Sequence, residues 1–142
     1  MVVISFQAVF GVNPGYAHDN KLSAGTTAAQ IVARVWREEL EKDLEEGSGI
    51  LVGGTVTEGR TVYPQSFGCP EDGEVTAVVA GNTNPKFIRQ AGFASFKRAV
   101  IRVAKATKAR LAQSRVQITF TEVNDFVYLE PENSGGEQRW TA

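Results

Sequence analysis

Two segments of this chain space their apolar residues as helices do, and the apolar stretches around them follow strand patterns. A chain with both periodicities has to pack the apolar face of each helix against a sheet. Each helical segment also has polar residues on its other side, so each has one face to bury. The two apolar stripes are Val32, Val35, Trp36, Leu40 and Leu44 in the first segment, and Phe93, Phe96, Val100, Val103, Ala104, Thr107 and Leu111 in the second.

Capping residues predict where these helices begin. Thr27 and Gln30 form a Thr-x-x-Gln box, which satisfies two backbone amides at a helix start. Gly47 is suited to end that helix. Asn84 followed by Pro85 fits an N-cap with proline in the first turn, so the second helix is predicted to open at Pro85.

Strand patterns fill the rest of the chain. Glu58-Gly59 lies between two alternating Thr/Val stretches and predicts a tight hairpin. The order β-α-β-β-α-β indicates an α+β, ferredoxin-like sheet with two helices on one face, an extra hairpin and a short C-terminal β extension. We expect a single domain over 1–131 and a polar, mobile tail over 132–142. The predicted strands are 2–12, 50–56, 60–64, 74–80, 116–123 and 126–129.

Composition excludes several classes of protein. At 142 residues, with 42% hydrophobic and 22% charged residues, the chain has the makeup of a folded globular domain. Cys69 is the single cysteine, so no internal disulfide can form, and no Cys/His cluster has zinc spacing. The N-terminus lacks signal-peptide features and no apolar run reaches membrane-span length. We expect a cytoplasmic protein without a membrane contact, metal or cofactor.

Charge is distributed unevenly along the chain. From Lys86 to Arg115 there are nine basic residues and no acid, while the remainder holds all 16 acids and six bases. This basic helix can lie beside the acidic first helix, or meet it across a subunit boundary. Nucleic acid is the less favoured partner, because the net charge is -1 and no aromatics interleave with the bases.

The best candidate binding site is the turn that enters the second helix. Asn82, Asn84, Lys86 and Arg89 lie there, and amides with a helix N-terminus and two cations favour an anion. Ordinary turn and cap chemistry is the simpler interpretation, since no glycine-rich phosphate loop is present. Arg60 and Tyr63 on a neighbouring strand become part of a site only if the sheet brings them close to this turn.

Catalytic signatures are weak in this sequence. His18 is the only histidine and is followed by Asp19 in a polar loop. This pattern is more typical of a surface loop than of a general acid–base pair. Cys69 has no basic neighbour that would activate its thiol.

Three functions therefore stay open. The favoured one is a non-catalytic, homo-oligomeric domain that binds a small anionic or nucleotide-like molecule. The second is a homo-oligomeric assembly protein without a small ligand, since small α+β domains expose sheet edges. The third is a small enzyme of unassigned reaction class.

Overall fold

The chain forms an α+β fold, as predicted, in a computed structural model that describes residues 1–12, 26–88 and 92–142. These residues form two helices and six strands. No helix within these ranges is long and apolar enough to cross a membrane. The elements are β1 (Val3–Gly11), α1 (Ala28–Glu45), β2 (Thr55–Thr61), β3 (Glu74–Asn82), α2 (Gly92–Arg110), β4 (Gln117–Val123), β5 (Asp125–Leu129) and β6 (Glu137–Thr141).

The first four strands form one antiparallel sheet in the order β2-β3-β1-β4. This order is compatible with the predicted ferredoxin-like arrangement. Because successive side chains of a strand point to opposite faces, Phe6 and Phe10 of β1 are buried under the helices, while Ser5 and Gln7 lie on the other face. We call this second, helix-free side the open face of the sheet.

Trp36 of α1 lies at the centre of the core. Its ring stacks on Phe6 with centroids 5.8 Å apart and meets Phe10 edge-on at 6.0 Å. Its indole Nε1 donates to the Val52 carbonyl oxygen at 2.9 Å. Phe96 of α2 packs against the same Phe6 ring. Trp36 therefore fixes α1, the central strand and the segment before β2 to one another.

The two helices lie side by side and pair their opposite charges. Arg102 of α2 binds Asp43 of α1 at 2.8 Å, and Arg110 binds Glu38 at 2.8 Å and Glu39 at 3.3 Å. The prediction that the basic helix lies beside the acidic one is confirmed within the chain.

The predicted hairpin at Glu58-Gly59 is wrong. Both residues lie within the continuous strand β2, where Glu58 pairs with Ala77 and Gly59 with Thr76 of β3. A side-chain oxygen of Glu58 also accepts a hydrogen bond from the Ala28 backbone amide at 2.9 Å. A long antiparallel partner and this contact to α1 outweigh the local turn preference.

The second helix begins at Gly92, not at Pro85 as predicted. Asn84 caps a single turn: its side-chain oxygen accepts from the Lys86 amide at 3.0 Å, and its carbonyl accepts from the amides of Phe87 and Ile88. The predicted cap at Asn84 is confirmed. The capped residues form only a turn, and no helix continues from it to Ile88. Residues 89–91 lie outside the described part of the chain.

A second, two-stranded sheet joins β5 to β6. Strand β6 falls in the segment that was predicted as a polar tail. Phe126 and Trp140 face each other across this pair of strands at 5.8 Å. The pair is attached to the turn after β3 through an ion pair between Lys86 and Glu130.

Gly81 of β3 provides a test of the packing on the helix side. A Cβ there would run into the Gly53 carbonyl oxygen and would lie 2.9 Å from Phe6 Cε1. We expect Gly81→Ala to lower the free energy of unfolding by about 1–3 kcal/mol in urea denaturation, since the backbone cannot give way. Gly59→Ala is the matched control, because a Cβ on Gly59 has nothing within 4 Å. Equal stability of the two variants would contradict this packing.

The Asp43–Arg102 pair makes a defined contribution to acid stability. The hydrogen bond from Arg102 lowers the pKa of Asp43. A lowered carboxyl pKa stabilises the fold above the ordinary pKa and this stabilisation is lost as the pH falls through the lowered value. Arg102→Ala should therefore cost about 0.5 kcal/mol near pH 6, and this cost should shrink as the pH falls through the lowered pKa of Asp43. Unfolding curves between pH 6 and pH 2 measure this stability cost, with exposed Lys105→Ala as the control. A cost that does not change with pH would contradict the assignment.

Candidate functional site

A cavity of about 440 Å³ opens on the open face, at the end of the sheet where β1 ends and β3 begins. Its size falls in the range of small-molecule sites. We call it the Glu74 cavity. Its lining residues are Val9, Gly11, Thr61, Tyr63, Phe67, Glu74, Thr76, Gln113, Ser114, Arg115 and Gln117.

The strand order determines how chemical groups are laid out across this cavity. Tyr63 and Phe67 follow β2 at one side, and Glu74 opens β3 next to it. Gly11 ends the central strand β1. Arg115 comes just before β4 at the opposite side. Aromatic rings, a carboxylate and a guanidinium therefore occur in that order across strands spaced about 4.8 Å apart.

Gly11 forms the floor beneath two side-chain oxygens. A Cβ at this position would lie 2.5 Å from Gln113 Oε1 and 2.9 Å from Glu74 Oε1. Both oxygens therefore pack against the Gly11 backbone at a distance that only a residue without a side chain allows. Glu74 itself is half-buried.

The end of α2 carries Gln113 to this place. Ala112 adopts a left-handed conformation with φ of 53°, and the Gln113 amide donates back to the Lys108 carbonyl at 3.1 Å. Such a left-handed residue closes a helix and reverses the chain. The Gln113 side-chain amide nitrogen donates to the Leu111 carbonyl at 3.1 Å, which turns its oxygen toward Gly11.

The loop that carries the aromatic rings is held by Cys69. The Tyr63 backbone amide donates to Cys69 Sγ at 3.4 Å, and this thiol contacts the Pro70 carbonyl oxygen at 3.3 Å. Cys69 is buried. Its thiol thus serves the geometry of the loop, and it does not line the cavity.

The six residues selected from sequence do not converge on one place. Tyr63 lines the Glu74 cavity. Asn82 and Asn84 line a different cavity of about 300 Å³, together with the exposed ring of Phe87.

The two cations of that selection that lie in the described part of the chain, Lys86 and Arg60, are also separated. Lys86 pairs with Glu130, and its ammonium lies 5.7 Å from the Phe87 ring centroid, so its charge is already engaged. Arg60 is exposed on β2 opposite Val75 and lines neither cavity. Arg89 and His18 lie outside the described residues.

Sequence reasoning missed the cluster at the centre of the cavity. From the sequence, Arg115 is only one base of the basic segment, and neither Glu74 nor Gln113 is selected as a site residue. One pattern pointed there: Gly11 is a glycine at the end of a hydrophobic strand, a place where backbone is often left open for a ligand or a close contact.

Metal-binding side chains are not clustered in this part of the structure. Among the residues in the described ranges, no group of three or more His, Cys, Asp or Glu side chains could hold a metal ion.

Comparison with known proteins gives a match to a protein family. A protein-family model described as SAM lyase matches residues 1–130. No curated protein and no solved structure matches the chain. The matched range includes all four strands of the main sheet, both helices and every residue that lines the Glu74 cavity. It supports the small-enzyme hypothesis and does not confirm a non-catalytic binding domain.

Proposed function

The chain belongs to the SAM lyase family, and on that premise we propose that it is a small enzyme that cleaves S-adenosylmethionine (SAM) in the Glu74 cavity. The observation that carries this proposal is the order of groups across the cavity. Aromatic rings, acceptor oxygens and a guanidinium follow one another from the β2 side to the β4 side.

The same order occurs along the SAM molecule. Its adenine is a flat ring that stacks on aromatic side chains, and Tyr63 and Phe67 provide them. Its positive sulfonium lies in the middle of the molecule, where Glu74 provides a negative charge. Its carboxylate lies at the far end, where Arg115 provides the cation that binds carboxylates best.

This assignment changes the predicted ligand. The sequence favoured an anionic or nucleotide-like molecule at the Asn82 to Arg89 turn. SAM retains the nucleoside but carries a positive sulfur, so a carboxylate in the site becomes a favourable contact. Lys86 takes no part, because it is paired with Glu130.

A lyase breaks a bond without water or an oxidant, and SAM carries the groups that such a step needs. In a displacement, a carboxylate oxygen of SAM bonds to its own Cγ while the Cγ–S electron pair moves to sulfur, which gives a five-membered lactone. In an elimination, a base takes a Cβ proton, a Cβ–Cγ double bond forms and the same electron pair moves to sulfur, which gives vinylglycine. Both routes release neutral 5′-methylthioadenosine.

The two routes require different catalytic contributions from the protein. Displacement needs a folded conformation of SAM and no proton acceptor, so binding and orientation provide the catalysis. Elimination needs a base, and Glu74 is the one carboxylate among the described residues that line the cavity.

Glu74 substitutions test the site. We expect the protein to form 5′-methylthioadenosine from SAM, and Glu74→Ala to lower kcat/KM about 100-fold, because the positive sulfur loses its counter-charge. Liquid chromatography of the reaction mixture measures 5′-methylthioadenosine together with the lactone or vinylglycine. Glu74→Gln should keep kcat within about tenfold if displacement operates, and should lower it by about 100-fold or more if Glu74 is the base.

Glu71→Gln is the matched control, since Glu71 is an exposed carboxylate outside the cavity. Unchanged turnover in Glu74→Ala would remove the cavity from the mechanism. Absence of any SAM cleavage by the unmodified protein would overturn the proposed function itself.

Self-association is a further part of this proposal. The open face carries neutral polar side chains, among them Ser5, Gln7 and Thr121, and no helix of the described residues covers it. Exposed Phe67 lies at the cavity end of this face, and exposed Val62 directly follows β2 at the same end of the sheet, with 70% and 77% of their surfaces accessible. A second copy would bury these apolar groups and narrow the cavity.

Native mass spectrometry should therefore detect an oligomer. Val62→Lys should shift the population toward monomer, because a buried ammonium without a partner is costly. Val127→Lys, at the β5 strand away from the cavity, is the control. A strictly monomeric wild-type protein at high concentration would contradict this part of the proposal.

A further inference from the structure

We infer that the edge strand β2 is an interface between two copies of this chain, in which it pairs antiparallel with the same strand of the second copy about a two-fold axis at Gly59. This inference rests on the self-association proposed above, to which it gives a defined surface, and it does not depend on SAM cleavage.

The outer edge of β2 presents backbone groups without a strand partner. β2 is the last strand in the order β2-β3-β1-β4, so β3 is its one strand neighbour among the described residues. The Thr83 amide donates to the Ile4 carbonyl at 2.9 Å, which orients odd-numbered β3 residues toward β1 and even-numbered ones toward β2. Through the β2–β3 register, the backbone groups of Val56, Glu58 and Arg60 then point away from the sheet. Such a row is a template for a further strand.

The sequence around Gly59 is complementary to itself. A half-turn about Gly59 sets Glu58 of each copy opposite Arg60 of the other, and opposite charges in facing positions stabilise a pair of strands. Moving the axis by one residue in either direction would set Glu58 against Glu58 or Arg60 against Arg60, so charge selects this register. The same half-turn joins like with like at the flanking positions, which are Val56 with Val62 and Thr57 with Thr61.

The side chains that this pairing covers are exposed in the single chain. Val62 has 77% of its surface accessible, and Arg60 is exposed without an ion pair to any described residue. Glu58 is also exposed, and only its Oε1 is engaged, by the Ala28 amide. A second copy provides an apolar contact for the valine and a counter-charge for both ionised groups.

Gly59 allows the two strands to meet at the axis. Odd-numbered β2 residues bond to β3, so Gly59 and its copy form a non-hydrogen-bonded pair, whose Cα atoms approach to about 4.5 Å. A Cβ built on Gly59 has nothing within 4 Å, so the open face is unobstructed there. The pairing joins two four-stranded sheets into one continuous sheet.

The other free edge of the main sheet lacks this symmetry. β4 carries one charged residue, Glu122, so no antiparallel pairing of two β4 strands gives that carboxylate a basic partner. Self-pairing of the main sheet is therefore favoured at β2.

Disulfide trapping tests the register. Gly59→Cys should form an intermolecular disulfide on oxidation with copper–phenanthroline, because Cα atoms about 4.5 Å apart lie within disulfide range. Thr57→Cys is the matched control: it lies exposed on the same strand and face, but its two copies would be about 14 Å apart. Cys69 is buried and present in both variants. Non-reducing gel electrophoresis measures the covalent dimer.

Charge variants test the complementarity. Arg60→Glu and Glu58→Arg should each raise the Kd of self-association by about tenfold or more, because like charges then face each other twice. An equimolar mixture of the two variants should associate again, since each acidic strand then faces a basic one, and native mass spectrometry identifies this heterodimer by its mass. Lys105→Glu makes the same charge change as Arg60→Glu at an exposed position on α2 and should leave the Kd unchanged.

Each result has a separate meaning. An oligomeric wild-type protein that gives no more covalent dimer in Gly59→Cys than in Thr57→Cys would overturn the β2 interface and leave self-association to the open face. The same holds if Arg60→Glu and Lys105→Glu associate equally well. A strictly monomeric wild-type protein would overturn this interface together with self-association, while its turnover of SAM judges the catalytic proposal separately.

Discussion

The packing of Trp36 determines which face of the sheet the helices cover and which face stays open. Its ring bridges Phe6 and Phe10 of the central strand, and its indole nitrogen binds the Val52 carbonyl. This cluster fixes both helices on one face of the sheet, where the buried apolar side chains are concentrated. The opposite face keeps its hydroxyl and amide groups accessible, and the Glu74 cavity opens there. The hydrophobic core is thus concentrated on one face of the sheet, and the candidate site opens on the other.

Glycine has two different uses in the paired central strands. At Gly81 on the helix side, backbone fills the space where a side chain would stand. At Gly11 on the open face, the same absence leaves room for side-chain oxygens from β3 and from the end of α2. Gly81 allows close packing of backbone, and Gly11 allows the close approach of two side-chain oxygens.

The sequence predicted the fold class, the helix stripes, the capping box at Thr27 and most strands, because these depend on periodicity and local hydrogen bonds. It failed at Glu58-Gly59, where a turn pair is held straight by the neighbouring strand. It failed again at Pro85, where a capped turn does not continue as helix. In both places, contacts between distant segments outweigh a local preference.

The site was harder to predict for the same reason. Tyr63 was selected, but Glu74, Gln113 and Arg115 become neighbours only through strand order and the reversal at Ala112. No local motif joins residues so far apart in the chain. The Asn82 to Arg89 turn looked like an anion site because the partner of Lys86 lies 44 residues later, at Glu130.

The pairing of acidic and basic helices has a consequence for how a charged molecule reaches the protein. Across the helix interface, Arg102 pairs with Asp43 and Arg110 pairs with Glu38 and Glu39, so these opposite charges neutralise one another over a few ångströms. At physiological ionic strength, screening weakens the remaining field of these pairs beyond about 8 Å. The pairs therefore contribute little to electrostatic steering at the opposite face of the sheet, and added salt should change diffusional encounter there only weakly through them.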